Sequence, residues 1–427
     1  MKKKIIHVVN NRALNGGIGT VLDYLDEGLR ENNLYDSSVL TTYSQDDGKF
    51  GYESLKRNGN FGEHIYNKNF LEQELAQYDV VHIHGIPSYR ILEAVEALKG
   101  KGQAPKIVNT CHSSVKKELA AHYERSKNTG DGRALERMID NGILEKPGRY
   151  CDNYWGSAIF RQEKVMTLAD KVQHMNNAYL DDIVEEYSAH ENKDKHSVVY
   201  NGIELLNEDE LTTRPKDKRL LYCGRFAAEK GIDEFIESLP SIFEKHPDTK
   251  VKIMGGDKDG IQVEKYKRKV KEELSHKFGD HLVIDYLDNI DFTGWVTDKK
   301  EIKACYEWTD FLVMPSKDES FCLAIAEALN HKRIPIMTDT HSLRDLYLSK
   351  DAGLGIDENK RTGQGIADVV NFALDEIDQP WMEIMAETGR ELVKENYSLE
   401  KVLEQQVRLY ESLWKQKRTR TNKTWFG

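Results

Sequence analysis

The sequence predicts an α/β protein built from two units, and three observations carry that reading. The chain has 427 residues, more than one hydrophobic core commonly organises, so two domains are expected. Short, largely apolar runs of strand length, at 5–9, 219–223 and 310–314, alternate with segments of helical periodicity. Several expected strands end in glycine-bearing turns, at Gly85, Gly202, Gly224 and the pair Gly255-Gly256, where backbone can approach a ligand closely.

Composition narrows the function classes. Charged residues make up 31% and hydrophobic residues 39%, as in a soluble globular protein. The formal net charge of −11 argues against a nucleic-acid partner, so an anionic ligand must be held by a few placed cations. The five cysteines, Cys111, Cys151, Cys223, Cys305 and Cys322, are scattered with no C-x-x-C pair. That argues for a reducing, cytoplasmic setting and against a disulfide frame or a zinc site. No apolar run approaches the roughly 18 residues of a membrane span. Met1-Lys-Lys-Lys leads into only about five apolar residues, too few for a signal peptide.

In chain order, 5–9 is a buried parallel strand and Gly16-Gly17-Ile18-Gly19 a turn into a helix with Val21, Leu22, Leu25 and Leu29 on one face. The glycines admit two readings, a ligand-cradling turn or a tight turn alone. They are not a dinucleotide fingerprint, because Leu22 stands where the third glycine belongs. Strands follow at 38–43, at 79–85 with His82 and His84 on one side, and at 106–112 with Ser113-Ser114 as a helix cap. His84 and His112 thus fall at strand carboxyl ends, where a cleft would be. Residues 115–154 are irregular, either a mobile acceptor-side region or a surface insertion. A helix at 162–169, a strand at 171–175, a helix at 178–187 and a strand at 196–200 ending in Asn201-Gly202 close the first unit. The polar stretch 204–218, with Pro215, is the linker.

The second unit opens with a strand at 219–223, then Gly224-Arg225 and Lys230-Gly231 before a helix at 232–239. A guanidinium fork and an ammonium beside a flexible turn suit a diphosphate, although both can also be solvated loop charges. Strand 250–254, a charged, solvent-facing helix at 261–276, strand 291–296, helix 301–308 and strand 310–314 follow. Pro315 ends that last strand, and Phe321, Ile325, Ala328 and Leu329 recur at helical spacing, with Ser316 or Ser320 as N-cap. The N-terminus of this helix suits a phosphate. Glu319 and Glu327, eight residues apart, can accept hydrogen bonds from sugar or ribose hydroxyls, or be ordinary exposed carboxylates. Strand 333–339 and a helical C-terminal part complete the unit, with 399–414 amphipathic. The last thirteen residues carry Lys415, Lys417, Arg418, Arg420 and Lys423 before Trp425-Phe426. They read as a frayed, solvated tail or as a peripheral contact with anionic membrane.

With both halves in view, the chain resembles the retaining glycosyltransferases of family 4, which have the GT-B fold. The resemblance rests on Gly16-Gly17-Ile18-Gly19, His82-Ile83-His84-Gly85, His112, Asn201-Gly202-Ile203, Gly224-Arg225-Phe226 to Lys230-Gly231, Gly294-Trp295-Val296, Pro315-Ser316 and the Glu319-to-Glu327 spacing. It implies two Rossmann-like domains facing a central cleft, with a C-terminal helix crossing back to the first. The boundaries expected on that basis are 1–205 plus about 399–427 for the acceptor side, and 216–398 for the nucleotide-sugar side.

The resemblance further implies a nucleotide-diphosphate-sugar donor, a UDP-sugar by preference, and a glycan, lipid-linked or protein acceptor in bacterial-type surface glycoconjugate synthesis. Arg225 and Lys230 would hold the diphosphate and stabilise its departure. Glu319 would bind sugar hydroxyls, Glu327 the ribose, and His112 the sugar near the reacting carbon. Backbone at Phe321, Cys322 and Leu323 would complete the phosphate site, with Gly16, Gly17, Gly224 and Asn201 beside the donor. The family needs neither a metal nor a cofactor, and no metal-binding aspartate pair stands out here. Departures from the family are Ser320, Cys322 and His331 in place of glycine, and Thr340 to Asp345 in place of a glycine pair and a glutamate. They keep open the alternative of a non-catalytic GT-B subunit that binds a partner transferase or an acceptor.

Overall fold

The computed structural model describes residues 2–10, 17–31, 35–42, 68–102, 104–120, 154–187, 194–256 and 259–414. Two six-stranded sheets organise them. The first contains β1 (Lys3–Asn10), β2 (Tyr35–Thr42), β3 (Val80–His84), β4 (Lys106–Thr110), β5 (Lys171–His174) and β6 (His196–Val198) in the order β2-β1-β3-β4-β5-β6. The second contains β7 (Arg219–Gly224), β8 (Lys250–Gly255), β9 (Ile290–Gly294), β10 (Phe311–Met314), β11 (Ile334–Thr338) and β12 (Leu354–Ile356) in the order β12-β11-β10-β7-β8-β9. Every pairing is parallel.

Parallel strands covered on both faces explain the near-continuous apolar runs. In the second sheet Leu220, Tyr222, Val313 and Ile336 face one core, with Phe235, Ile236 and Leu239 of helix Ile232–Lys245. Leu221, Leu312, Met314 and Met337 face the other, with Ile325 and Leu329 of helix Leu323–Asn330. The first sheet divides likewise, Ile6, Val81 and Ile83 to one side and Ile5, Val80 and Val108 to the other. On that second side the cover includes Val402, Leu409 and Tyr410 of helix Leu399–Ser412, so the C-terminal helix does cross back to the first sheet. The crossing is pinned where Ile203 N–H donates to Tyr397 O at 2.9 Å and Leu399 N–H to Ile203 O at 3.1 Å.

Three expectations about individual segments change. The 204–218 stretch is a packed strap: Arg214 is buried and donates to Ile377 O at 2.7 Å and to Glu383 at 2.9 Å, while Arg333 donates to Thr212. Arg333 can be buried there because carbonyl and hydroxyl oxygens satisfy its nitrogens, whereas Arg214 bonds through Nη2 alone and its Nε and Nη1 have no hydrogen-bond partner among the described residues. Helix Ile261–Phe278 faces solvent on one side only; Val263, Tyr266, Val270 and Leu274 are buried. Helix Ile232–Lys245 continues past residue 239 through Pro240. The Gly16 expectation, most of 115–154 and the 415–427 tail lie outside the described residues. Among the described residues no helix is long and apolar enough to cross a membrane.

Gly255, at the end of β8, has φ +136°, and a Cβ there would stand 1.8 Å from Gly224 O. Neither the backbone angle nor the neighbouring strand admits a side chain. Gly255→Ala should therefore destabilise the second sheet by about 3 kcal/mol or more, read as a lowered urea midpoint; an unchanged midpoint would contradict this packing.

Candidate functional site

In the second sheet the chain runs outward in opposite directions from the β7/β10 junction, so the loops after these strands flank a topological switch point. Crevices for ligands open at such points, beyond the strands' carboxyl ends. The two loops touch. Gly231, at φ +68°, lies so near Pro315 that a Cβ would stand 2.1 Å from Pro315 O. Lys317 N–H donates to Glu229 O at 2.7 Å.

This approach brings Lys230 and Glu319 together. Lys230 Nζ donates to Glu319 Oε1 at 2.8 Å, and Ser316 Oγ donates to the same oxygen at 2.9 Å. The side chains are 19% and 8% exposed, so the pair is largely withdrawn from water. Burial alone would lower the Lys230 pKa; the charge and hydrogen bond of Glu319, together with Cys322, outweigh it and raise the value. Removing either partner of such a pair strands a charge, at a cost of about 3–5 kcal/mol. Arg225 donates to Glu229 at 2.8 Å and is 57% exposed, so its guanidinium reaches toward solvent at the crevice rim. Both cations are thus held by carboxylates. Gly224 has no positive φ, and a Cβ would meet nothing nearer than 3.6 Å.

The helix expected after this loop is Leu323–Asn330, but neither serine caps it. Cys322 occupies the N-cap position in a left-handed conformation (φ 62°), with no side-chain cap bond. Ser316 is spent on Glu319, and Ser320 reaches the other sheet's loops. Ser320 Oγ donates to His112 O at 2.6 Å, and Asn176 Nδ2 donates to Ser320 O at 2.6 Å. Phe321 is buried and its carbonyl accepts from Tyr347 OH at 2.9 Å. Glu327 is partly buried and accepts from Tyr306 OH at 2.6 Å; burial raises its pKa despite that bond.

From the first sheet, His112 joins the site through Ser320. Gly17 begins helix Gly17–Glu31. Asn201 does not join: it is buried at the Ile203 crossing, and among the described residues no hydrogen bond or ion pair links it to Arg225, Lys230, Glu319 or Glu327. His331, another expected departure, stacks on Tyr306 at 5.3 Å between ring centroids.

Two groups went unassigned in the sequence. A cavity of about 730 Å³ lies beyond the ends of β8 and β9, lined by Asp259, Val263, Phe292, Thr293, Gly294 and Trp295 among others. The signal was Gly294-Trp295, an aromatic beside a flexible position. The second is Asp318, which faces Lys117 of the first unit at 3.6 Å; Lys117 also pairs with Asp182 at 2.7 Å. His341 Nδ1 meets Asp182 at 3.1 Å, so this charge cluster spans the crevice.

Residues 206–391 match the model of the family glycosyl transferases group 1. The chain is 25% identical to an uncharacterised glycosyltransferase of Methanocaldococcus jannaschii over 235 residues, 51% of this chain and 54% of that protein. It is 24% identical to the GDP-mannose:cellobiosyl-diphosphopolyprenol alpha-mannosyltransferase of Xanthomonas campestris over 173 residues, 40% of this chain and 42% of that one. These matches span about half of each relative's length. The D-inositol 3-phosphate glycosyltransferase of Corynebacterium urealyticum is 24% identical over 357 residues, 81% of this chain and 74% of that one.

Solved structures extend the likeness to the whole fold. A glycosyltransferase from Rickettsia africae superposes with a TM-score of 0.64 at 16% identity, covering 97% of this chain and 99% of that one. An Anabaena protein solved with UDP and glucose gives 0.60 at 13% identity, covering 96% and 100%. The fold is GT-B, and Arg225, Lys230, Glu319 and the cavity all lie in the segment that matches the family model.

Burial raises the Asp318 carboxyl to about 7, with Lys117 offsetting part of that cost. A carboxyl whose folded pKa is raised is easier to keep protonated in the fold, so its ionisation subtracts stability as pH rises from about 4 to about 7. Asp318→Asn should match the wild-type melting temperature near about pH 4 and exceed it at about pH 8. Equal melting at both pH values would refute this.

Proposed function

We propose that the protein is a retaining glycosyltransferase that moves a sugar from a nucleoside-diphosphate sugar to a glycan, lipid-linked or protein acceptor. The observation that carries this reading is the Lys230–Glu319–Ser316 constellation at the β7/β10 switch point, with Arg225 on its rim. It sets cations where a diphosphate can lie and a carboxylate where sugar hydroxyls can donate. On this reading Arg225 and Lys230 neutralise the charge that develops on the departing diphosphate, which is where preorganised cations accelerate a reaction most. Lys230 exchanges part of its contact with Glu319 for phosphate oxygen, and Glu319 takes up a sugar hydroxyl.

The cavity bearing Phe292 and Trp295 lies on the same carboxyl-end edge, two strands over, and suits the flat face of a nucleobase. The group 1 match at Arg225 to Glu327 supports the donor side. The reaction needs positioning and electrostatic stabilisation rather than a metal, and retention of configuration follows if the acceptor attacks the face the diphosphate leaves. The base is proposed as uracil, since the Anabaena neighbour was solved with UDP; the Xanthomonas relative is named for GDP-mannose, so guanine is the competitor. Bacterial-type surface glycoconjugate synthesis in the cytoplasm, with peripheral membrane contact, is the setting we propose.

A second reading, a non-catalytic partner subunit, draws on Ser320 and Cys322. The Ser320 hydroxyl ties the donor loop to the facing His112, and Cys322 holds a left-handed conformation natural to glycine. Both features constrain the loop that must receive phosphate.

Melting temperatures with UDP, GDP and ADP separate the readings. A nucleotide at about a hundred times its dissociation constant should stabilise the wild type by about 2.7 kcal/mol and leave Arg225→Ala unaffected. Stabilisation by none of the three would sink the transferase reading in favour of the subunit. With the nucleotide known, the product's anomeric configuration by NMR tests retention.

A further inference from the structure

Four histidines lie under the junction of the first sheet with the donor loop: His7 on β1, His82 and His84 on β3, and His112 just after β4. His7, His82 and His84 are fully or almost fully buried, and His112 is partly buried. Ring nitrogens of His7, His82 and His84 lie within 4.8 Å of one another, a spacing that invites a metal ion. Their orientation does not suit one. The rings of His82 and His84 are stacked, centroids 4.1 Å apart and planes 28° apart, so their in-plane lone pairs run nearly side by side instead of converging. Both nitrogens of His82 also have hydroxyl partners, Tyr410 OH and Thr110 Oγ1, each at 2.6 Å.

The contacts describe a chain instead. His7 Nδ1 lies 2.9 Å from His84 Nε2, and His84 Nδ1 lies 3.4 Å from His112 Nε2. Burial depresses all these imidazoles, His7 to about 3 and His112 to about 4, so each ring carries one proton at neutral pH. A chain of singly protonated rings can run in only two directions. In one, His84 donates to His7 Nδ1, and His7 must carry its proton on Nε2. That atom is buried with no partner among the described residues. An orphaned buried N–H is the rarer and costlier outcome. In the other direction His7 Nδ1–H donates to His84, His84 Nδ1–H donates to His112, and only a lone pair is left without a partner.

We propose that His7 and His84 are positioning residues that, through this chain, fix His112 in the tautomer with its proton on Nδ1. His112 then accepts from His84 at Nε2 and offers an N–H, not a lone pair, at its other nitrogen. The consequence for catalysis rests on the transferase reading above: an N–H can donate to an oxygen of the bound donor, which a bare lone pair would repel. The backbone of the same residue is held by Ser320, so ring and main chain are fixed by different sheets.

The test uses the full chain labelled with 15N-histidine, reading tautomers from the two ring-nitrogen shifts, with His7, His84 and His112 variants for assignment. His84 and His112 should both be protonated on Nδ1 and show no titration between about pH 5.5 and 8. A proton on Nε2 of His112, or titration of His112 in that range, overturns the proposal. His84→Leu removes the donor and should leave His112 a mixture of tautomers, whereas His84→Asn keeps an N–H near the Nδ1 position and should preserve the single form. If His84→Leu does not fold, His7→Phe against His7→Asn makes the same comparison one step back.

With UDP-glucose as probe, kcat should fall about tenfold in His84→Leu, with KM within about twofold and recovery in His84→Asn. An unchanged tautomer in His84→Leu overturns the relay. Zinc titration of the wild type that shifts His7, His82 and His84 together would also overturn it, in favour of a metal site. Should no nucleotide bind, the transferase reading fails, and the tautomer spectra still decide the relay.

Discussion

Gly231 and Pro315 approach so closely that residue 231 can carry no side chain, and the candidate site follows from that contact. It draws the β7 loop against the β10 loop, which places an ammonium and a carboxylate from residues 89 apart within 2.8 Å of each other. Two charges out of water need each other, so the ion pair in turn fixes the loop geometry. Ser316, fully buried, supplies the further hydrogen bond that such a carboxylate requires. The parallel sheet below is what allows it. Strands apolar on both faces need helices on both, and the crossovers leave a crevice where the chain direction reverses.

The first sheet meets this loop from the other side, and its contribution is polar where a core is expected to be apolar. Histidines on β1 and β3 stand on the face where Ile5, Val80 and Val108 supply aliphatic side chains. Neutral, stacked and hydrogen-bonded, they fill space as aromatic residues while keeping a direction of donation. The charges that span the crevice are more exposed. Lys117 stands between Asp182 and Asp318, one carboxylate from each side, so its net attraction is shared instead of committed.

Much of this was legible in the chain. Apolar strand runs, glycine turns and the placing of Arg225, Lys230 and Glu319 at strand ends follow from local rules, and the structure bears out the strands and the C-terminal crossing. What was not legible depends on partners distant in sequence. Ser316 and Ser320 look like N-caps because the local pattern of serine before an apolar helix is the common one. Their hydroxyls are instead claimed by Glu319 and by His112, the latter 208 residues away. Cys322 caps without a side-chain bond in a conformation that no residue-type rule assigns to cysteine. His7 drew no notice because its role needs β1 beside β3, a pairing of residues 77 apart. The strap at 204–218 read as a linker because its polar residues do not reveal that Arg214 is buried.

Helix Leu399–Ser412 puts Tyr410 against His82 and packs Val402 and Leu409 over Ile5, Val80 and Val108. These residues are separated by the whole second sheet in the order of synthesis. During translation, the first sheet therefore leaves the ribosome with one face only partly covered, by Leu25 and Leu29 of helix Gly17–Glu31, and with its Tyr410 hydroxyl partner not yet made. The second sheet, whose strands and covering helices lie between 219 and 396, can close its core before that helix emerges. The order of assembly is thus the reverse of the order of the chain: the unit begun first is the one finished last.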